Sequence, residues 1–399
     1  MMRHSRFLPA VALLAVVAGC DMSVTNPGPL QDSQLNTPSA MPALVNGMSG
    51  DLSLALGDFL IGNTVMTDEL THSGNYAAPN EFAVGVIRPE DVDPDYQRLQ
   101  QARWVAEDGL RRMQQVLGAA FESNTDTPRA YLYAGFANRL LGENSCQAVI
   151  DGGGAQSDSV YFQRAESLFT RANALATAQH NTAVATAALG GRASVRADLG
   201  NWAGAVADAA QVPASFHYDA IFSLNTSREN NDLAYETHTR RELSVYATQW
   251  AANDADPRTP WDTVFTSAHK VQTGQDGHTP FFRQDKFSGL DSDIPLTKGA
   301  EMLLIQAENA LRNGDIGGMT GFINLERAVY GMAAVSAPGT TADAWTLLQK
   351  ERGAVLWLEA RRLWDLRRWL AAGTNSFLAT RDKCMPFGSS ELASNPNLH

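Results

Sequence analysis

The 399 residues carry 44% hydrophobic and 19% charged side chains, a globular composition with enough material for one large domain or two ordinary ones. The formal net charge is −12 and the pI about 5.1. An acidic chain repels phosphate backbones, which excludes nucleic-acid binding through a broad basic face.

The chain opens with MMRHSRFLPAVALLAVVAGC: Arg3, His4 and Arg6, an apolar run from Phe7 to Ala18, and a small residue before Cys20. A basic start, an apolar run too short to span a bilayer and a small-residue cleavage site read as a signal peptide over residues 1–19. The stretch Val17-Ala18-Gly19-Cys20 resembles the lipobox of bacterial lipoproteins, which implies cleavage before Cys20 and lipidation of its thiol. Several acyl chains on one residue give stable anchoring. Residues 20–41, polar and rich in Pro, Asn and Ser, then read as a lipidated N-terminus with a flexible tether. Asp21 follows the cysteine; in some proteobacteria an aspartate there retains a lipoprotein at the inner membrane, a rule that does not transfer between phyla.

Helical patterning begins near Pro42 and recurs to about residue 215, returns at 298–331 and again at 343–372, so strands should be few and short. Trp104 and Trp202 lie on helical patterns and are expected in the core. Three helical hairpins are predicted. The first covers residues 128–178, with Pro128 in its first turn and Ala165, Phe169 and Ala172 spaced as in the second helix of a tetratricopeptide hairpin, where small residues admit a close neighbour and the aromatic fills the groove. The second covers 183–213, turning at Gly200-Asn201-Trp202. The third covers 298–331, turning at Asn313-Gly314-Asp315. Cys146 and Cys384 remain after Cys20. In an exported chain they suggest a disulfide between the first helical region and the C-terminal loop, the alternative being two separate buried thiols. With no CxxC or HExxH and the eight histidines scattered, no metal site is indicated.

Residues 214–297 form a long loop-rich insertion, and an excursion of that length in a compact domain is usually functional. It is rich in aromatics, Tyr246 and Phe265 among them, and holds one stretch, RRELSVYATQWAAN (240–253), expected to be helical. Residues 351–370, ERGAVLWLEARRLWDLRRWL, combine three tryptophans with five arginines. As one helix, this stretch would pair Arg361 with Asp365, Asp365 with Arg368 and Glu359 with Arg362, each at about 0.2–0.5 kcal/mol if exposed. It would also be apolar around most of its circumference. Such a helix is buried, and buried arginines need carboxylates.

The pattern ER…L…E.RR..DLRRW resembles the C-terminal signature of the SusD/RagB family of outer-membrane nutrient-binding lipoproteins. Residues 295–331 are similar to the family's AEA-type hairpin followed by "IN..R". DADPR (254–258) is similar to its Asp-Pro-Arg turn, MPFGSSELASNPNL (385–398) to its closing motif, and VMTDEL (65–70) to its early "D" motif. The likeness extends over almost the whole mature chain. Lys298 stands where arginine is common, Gly318 where alanine is usual. The resemblance implies an all-α, SusD-like fold over residues 42–399, with tetratricopeptide-type hairpins, a ligand-binding insertion and few strands. It implies a non-enzymatic surface lipoprotein, lipid-anchored at the outer membrane and facing the exterior, that captures an oligosaccharide or peptide. It further implies delivery to a SusC-like TonB-dependent transporter, without a cofactor. Sugar rings stack on flat aromatics while amides and carboxylates bind hydroxyls. The ligand-binding candidates are therefore Asp68, His72, Asn75 and Tyr76 in DELTHSGNY (68–76), and Trp261, Phe281, Phe282 and Arg283 in the insertion. An alternative is a tetratricopeptide scaffold lipoprotein of outer-membrane assembly, which regular, uninterrupted repeats would favour. A glycosidase would use Asp68 with Glu69, or Asp291 with Asp293, as its paired acids; adjacent acids in polar loops are more often solvated charges.

Overall fold

A computed structural model describes residues 32–252 and 255–398. The signal peptide, Cys20 and the first part of the tether lie outside the described residues. The chain winds through two short 3-10 turns at Asp32–Leu35 and Pro38–Ala40 directly into α1 (Met41–Met66). From Leu52 onward α1 carries apolar or small residues on most sides, so it can be covered on most sides. It packs against α2 (Ala77–Ala83), α3 (Asp93–Leu117) and α4 (Thr127–Asn144).

The helices that follow pack neighbour on neighbour: α4 on α5 (Ser159–Ala178), α5 on α6 (Thr182–Asp198), and α6 on α7 (Trp202–Ala209). Phe169 shows why α4, α5 and α6 sit so close. Its buried ring lies edge-on to Phe136 at 5.0 Å, and a Cβ added at Gly135 or Gly191 would stand 2.6 or 2.5 Å from it. Asn181 and Asn201 cap α6 and α7, each Oδ1 accepting from a backbone N–H three residues on, at 3.2 and 3.1 Å. Gly200, with φ +78°, makes the left-handed turn between them.

Beyond the single-turn helix α8 (Asp232–Ala234), which contacts α1, the chain crosses the insertion and resumes as α9 (Gly299–Arg312) and α10 (Ile316–Val329). Asp315 caps α10 by accepting from Gly318 N at 2.7 Å, and a Cβ at position 318 would stand 2.2 Å from Asp315 Oδ2. Glycine therefore suits this cap better than alanine. Then follow α11 (Thr341–Val355), α12 (Arg362–Ala371) and the short α13 (Ser389–Ser394). The fold is all-α with few strands, as its periodicity predicts.

The strands are β1 (Thr71–His72), β2 (Gln147–Ala148), β3 (Gln156–Ser157), β4 (His217–Ala220), β5 (Leu243–Ser244), β6 (Trp261–Thr263), β7 (Phe282–Gln284) and β8 (Ile294–Lys298). They form four antiparallel pairs: β1 with β5, β2 with β3, β4 with β8, and β6 with β7. The β4–β8 pair puts Ala220 opposite Ile294, so the insertion leaves and rejoins the helical body side by side. A disulfide joins Cys146 to Cys384, with Cα atoms 5.0 Å apart. Beside it, Cys146 N donates to Met385 O and Met385 N to Asn144 O, both at 2.8 Å.

Two expected helices take other forms. The stretch expected as one helix over 240–253 is broken in its described part: a π-helical turn (Tyr235–Arg240) ends at Arg241, whose φ is +59°, and only a 3-10 turn at Gln249–Ala252 follows. The backbone beyond it is claimed by β1 and, through Val245 N donating to Phe282 O at 2.8 Å, by the β6–β7 hairpin. Residues 351–370 are likewise not one helix. The chain breaks between α11 and α12 at Leu358 and Ala360, both buried with φ near +60°. Leu358 N donates to Glu69 Oε1 at 2.6 Å, so the break is held by a residue near the start of the described chain.

Candidate functional site

The break between α11 and α12 sends the arginines outward to other helices. Arg361 donates to Glu143 Oε1 at 2.9 Å and to both oxygens of Glu301 at 3.1 and 2.9 Å. Arg352 reaches Asp365 at 2.8 Å, Arg367 reaches Asp158 at 2.8 Å, and Arg368 binds Glu308 and Asp365. Lys286 and Lys298 share Glu359. Of the three local pairs expected, only Asp365–Arg368 forms. The reason is burial: most of these charges are nearly sealed from water, and each takes the best-placed opposite charge in three dimensions. Burial pushes the Glu301 carboxyl up, but Arg361, Arg352 and Arg139 outweigh it and hold it at about 2.

This framework absorbs some ligand candidates. Arg362 Nε and Nη2 donate to Asp68 Oδ1 and Oδ2 at 2.7 and 2.8 Å, and Gln249 donates to the same carboxylate. Asp68 is thus occupied by the scaffold. Glu69 is fully buried, and desolvation raises its carboxyl to about 8 despite the hydrogen bond from Leu358. Asp293 Oδ1 accepts from Phe222 N at 2.8 Å. Asp68 and Glu69 are thus not a free, solvent-facing acid pair, whereas Asp291 and Asp293 are both exposed at the surface.

The remaining candidates other than Phe281 lie on segments that the backbone brings together although they are far apart in sequence. β1 lies against β5, Phe282 N donates to Ser244 Oγ at 2.9 Å, and Asp276 N donates to Ser73 O at 3.0 Å. The DELTHSGNY segment and the insertion hairpin are therefore one structure. Trp261 and Phe282 stack with centroids 4.9 Å apart and planes 14° from parallel, and Tyr246 meets Phe282 edge-on at 5.4 Å. Arg283 pairs with Asp285 at 3.0 Å and sits opposite Asp262 across the hairpin. His72 is half-buried; desolvation lowers its pKa, against the pull of Glu242 and Asp276, which favours the neutral imidazole. Asn75 is exposed, its N–H donating to Glu242 Oε2 at 2.9 Å. Tyr76 donates to Glu236 Oε1 at 3.4 Å, with Arg240 5.5 Å from its ring centre.

Phe281 points inward instead. It is 1% exposed, because successive strand residues face opposite ways and Phe282 takes the outer position. Missing from the sequence candidates are Tyr246, Phe265 and Val271, exposed at 38%, 57% and 42%; the Phe265–Val271 bridge holds the latter two across from one another. The signal was their position in an aromatic insertion, but only the fold shows which rings face out. Trp104 is also a correction: it is half-exposed on α3, whereas Trp202 is partly buried under Arg312 at 4.3 Å. Among the described residues no three His, Cys, Asp or Glu side chains are grouped to hold a metal ion.

Residues 282–396, from the outer strand of the hairpin through the ion-paired helices, match the SusD family model. This C-terminal part of the chain is similar to the SusD family. The fold of the chain is shared with solved SusD-like structures. A SusD/RagB protein of Bacteroides thetaiotaomicron is 12% identical with a TM-score of 0.67, covering 89% of this chain and 94% of that one. A SusD-like carbohydrate binding protein of Bacteroides vulgatus is 16% identical with a TM-score of 0.59, covering 83% of each. A laminarin binding SusD-like protein is 13% identical with a TM-score of 0.61, covering 91% and 98%. No curated protein sequence matches. Among the described residues, no helix is long and apolar enough to cross a membrane.

Proposed function

We propose that this protein is a nutrient-binding protein of the SusD/RagB family and not an enzyme, capturing an oligosaccharide or peptide on the outer surface of its insertion. It passes that ligand to a SusC-like TonB-dependent transporter, anchored to the outer membrane through lipid on Cys20 and facing the exterior. The observation that carries the reading is where apolar surface is left open. Of the ten most exposed large apolar residues described, six lie between Ile221 and Val271, on an insertion braced by the stacked Trp261 and Phe282. A fold with so many sealed ion pairs has no packing reason to leave aromatics in water there, whereas flat exposed rings beside polar side chains suit sugar faces. The carbohydrate-binding neighbours support an oligosaccharide before a peptide.

Calorimetric titration of the purified chain with neutral oligosaccharides tests this. Saturable binding without product release is expected, weakened at least tenfold in a Tyr246→Ala/Phe265→Ala variant. Silence across both glycans and peptides, or cleaved glycan, would reject it. Mild-detergent extraction from native membranes should recover the chain with a TonB-dependent barrel at near-equal stoichiometry.

A further inference from the structure

The insertion is not the only place where a ring is left open. The buried face of α3 runs through Tyr96, Leu99, Ala102, Ala106, Leu110 and Met113. Trp104 falls off that stripe; its side chain is 50% exposed, and no ring or guanidinium stacks on it among the described residues. It stands where two clefts meet. One, of about 600 Å³, lies between α3, α4 and α5; the other, of about 510 Å³, lies between α3, the turn at Val149–Gly152 and α13. Both are lined by Trp104 and Asp151, and neither shares a residue with the insertion surface.

Around the indole the polar groups are held in place. Glu107 accepts from Arg103 at 2.8 Å, Arg164 at 2.6 Å and Asn138 at 2.9 Å, and Asp151 accepts from Arg103 at 3.1 Å. Arg111 donates to Asp108 at 2.7 Å. Three guanidinium groups thus face these three carboxylates, and Glu391 in the second cleft adds a fourth carboxylate. A site of that kind offers planar, pre-oriented donors and acceptors with little net charge, which suits a polyol and selects against an anionic ligand. The uncovered indole supplies the apolar platform for the C–H face of a sugar ring. Clefts on both sides of one ring leave room for the chain to continue in either direction.

We propose that Trp104 and the two clefts it divides form a second carbohydrate subsite, in which one ring of a neutral oligosaccharide stacks on the indole. This rests on the oligosaccharide reading above. Fluorine NMR of the full chain labelled with 5-fluorotryptophan tests it, with Trp104→Phe identifying the Trp104 signal among the eight tryptophans. Titration with neutral β-glucan and α-glucan oligosaccharides should move that signal saturably, at lower concentration for a hexasaccharide than for the monosaccharide. Trp104→Ala should bind the same hexasaccharide at least fivefold more weakly while melting at an unchanged temperature, since the ring is not in the core. If the Trp261 signal responds and the Trp104 signal does not, the second subsite is wrong and the function stands. If no tryptophan responds and no glycan binds, both fall. If Trp104→Ala keeps glycan affinity but no longer co-purifies with the barrel, Trp104 is a protein contact and the subsite is rejected.

Discussion

Arg361 illustrates what a buried charge does in this fold. It is 4% exposed, and two carboxylates from two different helices complete it. Replacing such a group by alanine leaves Glu143 and Glu301 together without their cation, so Arg361→Ala should cost about 3–5 kcal/mol in urea unfolding. Arg171, which pairs with Glu122 on the surface, should cost well under about 1 kcal/mol on the same substitution. The need for partners could be read from the sequence, because a tryptophan-rich stretch with five arginines cannot be buried unpaired. The identity of the partners could not, since Glu143 and Glu301 lie 218 and 60 residues away. The family's early aspartate motif gains a physical meaning here: Asp68 is the counter-ion of Arg362.

Among the elements, the hairpins were the legible part and the insertion was not. Helix ends at Asn181, Asn201 and Asp315 are written in capping residues, and glycines at 200 and 314 mark the turns. Inside the insertion, short strands are fixed by partners far along the chain, so neither the phase that buries Phe281 nor the break at Arg241 in the stretch expected to be helical has a local signal. Trp104 was legible but misjudged: it is five residues past Leu99 and six before Leu110, off the buried stripe of its helix. Close helix packing gives a paired prediction. Gly135→Ala should destabilise by about 1–3 kcal/mol because its methyl would strike Phe169. Gly47→Ala, exposed on α1 with nothing within 4 Å, should instead stabilise by about 0.5–1 kcal/mol. Thermal denaturation of the two variants side by side would show the opposite signs.

The whole molecule should have a pH dependence of a particular sense. Desolvation raises Glu69 to about 8, and raises Asp95 and Asp232 to about 7, the last two aided by Asp58. A carboxyl whose folded pKa lies above its unfolded value holds a proton that the unfolded chain has already released. Its contribution is greatest at low pH and is lost as pH rises from about 4 to the folded value. Glu301 works in the other direction, but its contribution is lost only as pH falls from 4.5 toward about 2. Melting temperature should therefore be higher at pH 6 than at pH 8. Glu69→Gln should flatten part of that slope, since the amide mimics the protonated acid; an unchanged slope would mean Glu69 is ionised in the folded chain.

The Cys146–Cys384 bond separates these residues by 238 positions, so most of the described chain, including all of the insertion, lies within one covalent ring. A single backbone cut in an exposed insertion loop opens that ring without dividing the molecule. Both ends of the cut remain tethered through the same sulfur pair, and the β4–β8 base still holds the insertion's two stems together. Protease nicking in such exposed loops therefore does not take the chain apart.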